Sequence, residues 1–357
     1  MTVATRPPIA VLGGGSWGTA LALHLERGGH SPRLWIRDPE QAQQIAASRK
    51  NTKYLPQWTL PQSIQVTAKL DEALHEAGVV VIAVPSASLA ELGQWLRRGR
   101  PRADVLWVLA TKGLQGEGLR ASQILLRELG DEPQSWAVLA GPSLAAEVLE
   151  QLPTAVLAAS LRPEPARTVQ ELFHAERFRV YTSGDVVGVE LGVSLKNVIA
   201  IAAGLAQELS LGHNGYGALL TRGLAEMSRL GLAFGAQRET FLGLAGLGDL
   251  VTTCGSPLSR NHRVGRRLAR GEPLESILRV MGQVAEGVPT TRAALRLAER
   301  MAVDMPITRE MFAILFEEKD PRRALQDLML RRPRDETDDG FAHPRDRGAD
   351  NEAGAGR

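Results

Sequence analysis

Ile9-Ala-Val-Leu12-Gly13-Gly14-Gly15-Ser16-Trp17-Gly18-Thr19-Ala20-Leu21-Ala22-Leu23 is the stretch from which the fold is read. Four apolar residues of strand character run directly into a glycine loop, and the loop runs into an apolar helical stretch. In that setting Gly13 permits the tight turn, Gly15 lets the backbone approach a bound pyrophosphate, and Gly18 lets helix and strand pack closely. Ser16 and Trp17 occupy the helix mouth, where free amides and the helix dipole favour an anionic diphosphate. A GxGxxG spacing alone also fits an ordinary tight turn. Its place between a first strand and a first helix points to dinucleotide binding.

The same alternation continues outward. Leu34-Trp-Ile36, Val79-Val-Val-Ile-Ala-Val84, Val105-Leu-Trp-Val-Leu109 and Ala137-Val-Leu139 read as strands apolar on both faces, with helical segments such as 20–27 and 89–97 between them. Runs at 155–159 and 178–181 extend the set. Strand, helix, strand, repeated, predicts a mostly parallel, doubly wound α/β sheet of Rossmann type over residues 1–185. The second strand ends at Arg37-Asp38. A basic residue there accommodates the 2′-phosphate of NADP, whereas an acidic one prefers the free ribose of NAD. With Arg37 first, NADPH/NADP is the expected cofactor, with NADH/NAD as the alternative; a solvated surface charge is the plain reading of Arg37.

From Asp185 the strand signal fades, and segments 186–207, 219–232, 264–269, 289–300 and 309–316 carry helical spacing. Asp185 suits an N-cap for the first of them. An all-α region over 186–330 is expected, followed by a charged tail, 331–357, too poor in apolar residues to fold on its own.

Composition narrows the possible functions. The 42 basic residues are offset by 40 acidic ones, a net charge of +2, so the basic surplus of a nucleic-acid binder is missing. One cysteine in 357 residues rules out an internal disulfide framework and suits a reducing compartment. No segment reads as a signal peptide, and no apolar run is read as approaching the roughly 18 residues needed to span a membrane. A cytoplasmic protein is expected. No His, Cys and carboxylate cluster has metal-site spacing.

Further motifs narrow the reading again. Ala110-Thr-Lys-Gly113 and Ala140-Gly-Pro-Ser143, with Ala145 and Glu147, follow strands. Gly192-Val-Ser-Leu-Lys-Asn-Val198, Thr221-Arg-Gly-Leu-Ala-Glu-Met-Ser-Arg-Leu230, Ala245-Gly-Leu-Gly-Asp-Leu250, Ser259-Arg-Asn261 and Val284-Ala-Glu-Gly287 follow in the helical part. This ordered set, spanning about residues 9 to 330, closely resembles the bacterial NAD(P)-dependent glycerol-3-phosphate dehydrogenases. The resemblance implies dihydroxyacetone phosphate and sn-glycerol 3-phosphate as substrates, with the product feeding phospholipid synthesis. It makes Lys196 the proton donor and acceptor, a role to which burial among Val193, Leu195, Val198 and Ile199 would tune the amine. It places Lys112 near both nicotinamide and substrate, where a second cation also depresses the pKa of Lys196. It gives Asp249 a substrate hydroxyl to bind and Lys196 to orient, and Ser259, Arg260 and Asn261 the phosphate. Gly141 and Ser143 line the substrate pocket, Ala145 the cofactor side, Arg260 reaches the cofactor, and Val284 and Glu286 close over it. The glycine loop departs from the pattern in carrying Gly14 where alanine is common, and Leu144 stands where phenylalanine is frequent.

Plainer roles remain for some residues: a snorkelling lysine for Lys196, a loop lysine for Lys112, helix caps for Asp249 and Ser259. His213 reads as a polar residue in a glycine-rich turn, and Cys254 as a packed thiol. A homodimer is a candidate assembly. The rival functions are a 3-hydroxyacid or 6-phosphogluconate type dehydrogenase and a catalytically silent dinucleotide-binding sensor.

Overall fold

The computed structural model describes residues 7–99, 102, 104–130, 135–282, 284–333 and 335–336. Its strands are β1 (Ile9–Leu12), β2 (Arg33–Trp35), β3 (Lys50–Asn51), β4 (Leu55–Thr59), β5 (Gln65–Thr67), β6 (Val79–Ile82), β7 (Leu106–Leu109), β8 (Ser135–Ala140), β9 (Thr154–Ala159) and β10 (Phe178–Ser183). Eight of them form one sheet in the order β10-β9-β8-β7-β6-β1-β2-β5, and β3 and β4 pair as a separate hairpin. All pairs in the large sheet are parallel except β8 with β9. Strand β1 lies between β2 and β6, so the chain reverses its direction of travel across the sheet there, and the loop after β1 opens at that switch point.

Alternate residues of each central strand feed two cores. Ile9, Val11, Val79 and Val81 pack with α1 (Ser16–Arg27), α2 (Pro39–Ser48) and, later in the chain, α7 (Pro163–Phe173). Ala10, Leu12, Val80 and Ile82 pack on the other side with α3 (Leu70–Leu74), α4 (Leu89–Gly99) and α5 (Ala121–Leu129). Between these come α6 (Ala145–Leu149) and, after β10, α8 (Val186–Glu208), whose Val186, Val189 and Val193 join the second core. The helical part therefore shares apolar packing with the sheet.

The remaining helices are α9 (Gly212–Ala233), α10 (Arg238–Leu242), α11 (Asp249–Gly255), α12 (Arg260–Ala269), α13 (Leu274–Met281), α14 (Gly287–Arg300), α15 (Pro306–Phe316) and α16 (Pro321–Met329), with a wide π-helical turn, Leu244–Gly248, before α11. Helix α8 is surrounded by them. It is long and apolar enough by length and composition to cross a membrane, which corrects the reading that no run reaches that size; 94% of its most apolar 18-residue window is buried inside the protein. Asp185 caps it by accepting from the Gly188 amide at 2.8 Å, as its sequence position predicts, and also accepts from the Gln237 amide and the Thr240 hydroxyl. Buried carboxylates serve other helix starts in the same way. Glu190 accepts from the amide and hydroxyl of Ser122 and from Arg120 at the start of α5. Glu226 accepts from the amides of Ile307 and Thr308 at the start of α15.

Several elements begin earlier than their sequence signal. Helix α9 starts at Gly212, so His213 stands in a helical first turn rather than a loop. Helix α1 starts at Ser16, whereas α12 starts at Arg260, where the cap reading of Ser259 places it. Most of the charged tail, 331–357, lies outside the described residues; Arg331 pairs with Asp304.

Candidate active site

The glycine loop has the shape its spacing predicts. Gly13 adopts φ +130°, and a Cβ there would meet the Ala83 carbonyl oxygen at 2.5 Å. A Cβ on Gly18 would lie 2.0 Å from the Gly13 carbonyl oxygen. Gly15 differs, because a Cβ there would meet nothing within 4 Å. Two glycines are thus fixed by packing, and the middle one faces open space. Gly15 is the N-cap of α1 with no side-chain cap, and the first turn carries no acidic residue, so the positive helix end is free for an anion. The Nε1 of Trp17 and the Oδ1 of Asn51 are buried here without partners, while the Asn51 amide donates to the Gly14 carbonyl at 2.9 Å. An open glycine cradle, an uncapped helix mouth and an unpartnered indole N–H together fit a dinucleotide diphosphate. Gly14 is filled from beneath by Ile36, whose side chain a Cβ would meet at 2.7 Å.

Beyond this loop, the carboxyl ends of β7 and β8 carry the next groups. Lys112 follows β7 and donates through Nζ to the Gly141 carbonyl at 2.9 Å and towards Ser143 Oγ at 3.5 Å, both just after β8. Its third partner comes from the helical part: Asp249 Oδ2 at 3.2 Å. The other oxygen of that carboxylate accepts from Lys196 Nζ at 2.7 Å. Asp249 therefore bridges the two lysines, and Lys196 also donates to Thr253 Oγ1. The side chains of Asp249 and Lys196 are 2% and 5% exposed, that of Lys112 19%, so the far lysine alone opens towards solvent. Burial pulls the Lys196 amine down to about 8 from its ordinary value; Asp249 opposes that fall, and the Lys112 charge adds to it. Behind them burial pushes the Cys254 thiol up to about 12, an unreactive packed group.

Residues 259–261 join the same neighbourhood through the residue next to Lys196. The Asn261 amide donates to Asn197 Oδ1 at 2.8 Å, and its Oδ1 accepts from the Gly287 amide at 2.9 Å. Ser259 caps α12 by accepting from the His262 amide at 3.3 Å. One hydrogen of the Asn261 amide, the Ser259 hydroxyl hydrogen and the whole Arg260 guanidinium are then left for a ligand. Arg260 is exposed by area, yet desolvation still lowers its pKa, with Glu286 opposing the fall. A side chain in contact with solvent but walled by protein on several sides is one that lies in a cleft.

Sequence comparison identifies the family. The models described as NAD-dependent glycerol-3-phosphate dehydrogenase N-terminus and C-terminus match residues 8–166 and 185–326. The chain belongs to the NAD-dependent glycerol-3-phosphate dehydrogenase family. It is 48% identical over 328 residues to a glycerol-3-phosphate dehydrogenase [NAD(P)+] of Thioalkalivibrio sulfidiphilus, covering 92% of this chain and 98% of that one. It is 47% identical over 324 residues to the enzyme of the same name from Thermoanaerobacter, covering 90% and 97%. A crystal structure of glycerol-3-phosphate dehydrogenase from Coxiella burnetii superposes with a TM-score of 0.87 at 41% identity, covering 91% and 99%. Like its family, the chain is an NAD(P)-dependent oxidoreductase.

Other parts of this dehydrogenase complete the cleft. Glu286, the N-cap of α14, accepts from the amide of Ser86 at 3.0 Å and from its hydroxyl, linking the helical part to the loop after β6. Burial raises its pKa against those donors and Arg260. Val284 beside it is exposed, and Ala145 begins α6. Arg37 is exposed and pairs with Glu91 at 3.4 Å; it borders an open cavity of about 450 Å³ with Trp35, Leu70, Trp95 and Arg98. The motif reading missed Thr253, Asn197 and Ser86. Thr253 is four residues after Asp249 on α11, so helical spacing marks it; Asn197 is a polar residue inside an apolar helix. Ser86 carries no sequence signal for a contact 200 residues away.

Proposed function

We propose that the chain reversibly reduces dihydroxyacetone phosphate to sn-glycerol 3-phosphate, with Lys196 moving the proton. The observation that supports this reading best is the buried carboxylate of Asp249 shared between Lys196 and Lys112 where two strand ends meet α8 and α11. When bound, the nicotinamide supplies a hydride to the substrate C2 or takes one from it. As the C2 carbonyl becomes an alkoxide, the Lys196 ammonium gives its proton to that oxygen and is left neutral; in the oxidation the neutral amine takes the hydroxyl proton back. An amine at about 8 has both forms within reach near neutral pH. Asp249 holds Lys196 in place, and the Lys112 charge beside the same carboxylate faces the negative charge that develops on oxygen. Arg260, with the Ser259 hydroxyl and the Asn261 amide at a helix start, receives the phosphate. Gly141 and Ser143 shape the pocket around Lys112, and Ala145, Val284 and Glu286 stand on the cofactor side.

In this reading residues 1–185 form the cofactor domain and 186–330 the substrate domain. Arg37, with Arg98 at the same cavity, supports acceptance of the NADP 2′-phosphate alongside NAD. The product is expected to enter glycerophospholipid synthesis in the cytoplasm, which label carried in dihydroxyacetone phosphate would trace into lipid. A homodimer is the proposed assembly, and a monomer mass from light scattering would remove it. Initial rates with dihydroxyacetone phosphate and either NADPH or NADH test the central reading, with 6-phosphogluconate and a 3-hydroxyacid as rival substrates. Turnover of a rival alone would overturn it, as would cofactor binding without any turnover.

A further inference from the structure

Asp249 reaches two lysines from a turn that rests against α8, and the seat of that turn is made by an absent side chain. A Cβ on Gly192 would lie 2.6 Å from the Ala245 carbonyl oxygen, 3.1 Å from its carbon and 3.5 Å from the Gly246 nitrogen. These are backbone atoms, which cannot swing aside as the end of a side chain can. On the other side of the turn, a Cβ on Gly246 would lie 2.0 Å from the Phe241 carbonyl oxygen and 2.4 Å from its carbon. The Leu244–Gly248 turn is thus held between α8 and the end of α10 with no room on either side. One helical turn after Gly192, on the same face of α8, comes Lys196; directly after the π-helical turn comes Asp249. Glycine inside a 23-residue helix is less favourable than alanine, so its presence here needs a compensating reason.

We propose that Gly192 is a positioning residue: its bare backbone seats the Leu244–Gly248 turn against α8, and that seat sets the reach of Asp249 to Lys196 and Lys112. The inference rests on the reading of Lys196 as the proton-transfer group. A methyl at 192 pushes the turn outward by several tenths of an ångström, and the carboxylate at its end moves with it. Lys196 then loses part of its anionic partner while Lys112 remains nearby, so the ammonium form is disfavoured.

The test is Gly192→Ala in the full chain. Expected are a 10- to 100-fold fall, in order of magnitude, in kcat for ketone reduction, an unchanged KM for the nucleotide, and a high-pH limb of the reduction profile moved to lower pH. A crystal structure of the variant should show the Lys196–Asp249 contact lengthened beyond 2.7 Å. Gly223→Ala is the control: the three atoms nearest its Cβ would all belong to the Ile199 side chain, the first at 2.8 Å, and it should lower stability without moving the limb. Should Gly192→Ala not fold, Gly246→Ala crowds the same turn from its other side and carries the same expectation. A wild-type limb with an unlengthened contact overturns the proposal, and so does an equal limb shift in Gly223→Ala. Near-normal turnover in Lys196→Ala would instead remove the proton-transfer reading, and the crystallographic distance would still decide whether Gly192 seats the turn.

Discussion

In the sheet-bearing half the candidate site groups stand just past strand ends, whereas in the helical half they stand on helices whose mutual placement is set by contacts far apart in sequence. The glycine loop follows β1, Lys112 follows β7, and Gly141 and Ser143 follow β8, all at one edge of the sheet. Lys196 lies inside α8, Asp249 and Arg260 open helices of their own, and Glu286 caps another. Hydrogen-bonded strand register alone brings the first set together. The second set is brought together by tertiary links such as Asn261 to Asn197, 64 residues apart, and Asn261 to the Gly287 amide at the start of α14. In the proposed reading the difference gives one half a prepared binding edge and the other the chemistry, each damaged by different changes.

The largest expected effect separates the halves. Lys196→Ala should lower kcat by about 10²–10⁴-fold and leave nucleotide affinity, measured by fluorescence titration, nearly intact. In the unmodified protein the same group sets the pH dependence. Ketone reduction needs the ammonium and should decline as pH rises through about 8, while alcohol oxidation needs the free amine and should climb over the same range. Profiles flat from pH 7 to 9 in both directions would assign the proton to another group.

Next in size is an effect on the helical half alone. Glu226 is buried and accepts from the first amides of α15, so Glu226→Ala leaves those donors without a partner. A loss of about 2–3 kcal/mol in denaturant unfolding is expected, with activity per folded molecule preserved. A loss below about 0.5 kcal/mol would show that this cap is dispensable. The smallest of the three sharpens the division within the site. Arg260→Ala should raise the KM for dihydroxyacetone phosphate at least about tenfold, or about 1.4 kcal/mol of binding, and an unchanged KM would move the phosphate elsewhere.

The two halves also differ in how far they could be read in advance. The central strands and the glycine loop follow from local apolar runs and turn chemistry, and the structure has them where those signals lie. The hairpin β3–β4 and the edge strand β5 escaped, because they are short and partly exposed, with Pro56 inside β4 and Pro61 between β4 and β5. Gly212-His-Asn-Gly-Tyr-Gly217 has the composition of a turn yet forms the first turns of α9, largely exposed, with Tyr216 packed against the helical core. In the site, Lys112, Asp249 and Lys196 were recognisable as motif members, and the resemblance already set Asp249 against Lys196; that the same carboxylate also holds Lys112 was not legible. The engagement of the Asn261 amide with Asn197 and Gly287 was equally hidden, since a free and a satisfied amide look alike in sequence.

The sequence by itself determined the order of elements, the cradle at residues 13–18 and the residue types available for chemistry, because turns, apolar runs and helix starts depend on neighbours within a few positions. Only the tertiary structure decided that one carboxylate serves two lysines, 53 and 137 residues away from it along the chain. That arrangement depends on how closely α8 and the turn before Asp249 approach each other, and such an approach is set by the packing of backbones that no spacing along the chain encodes.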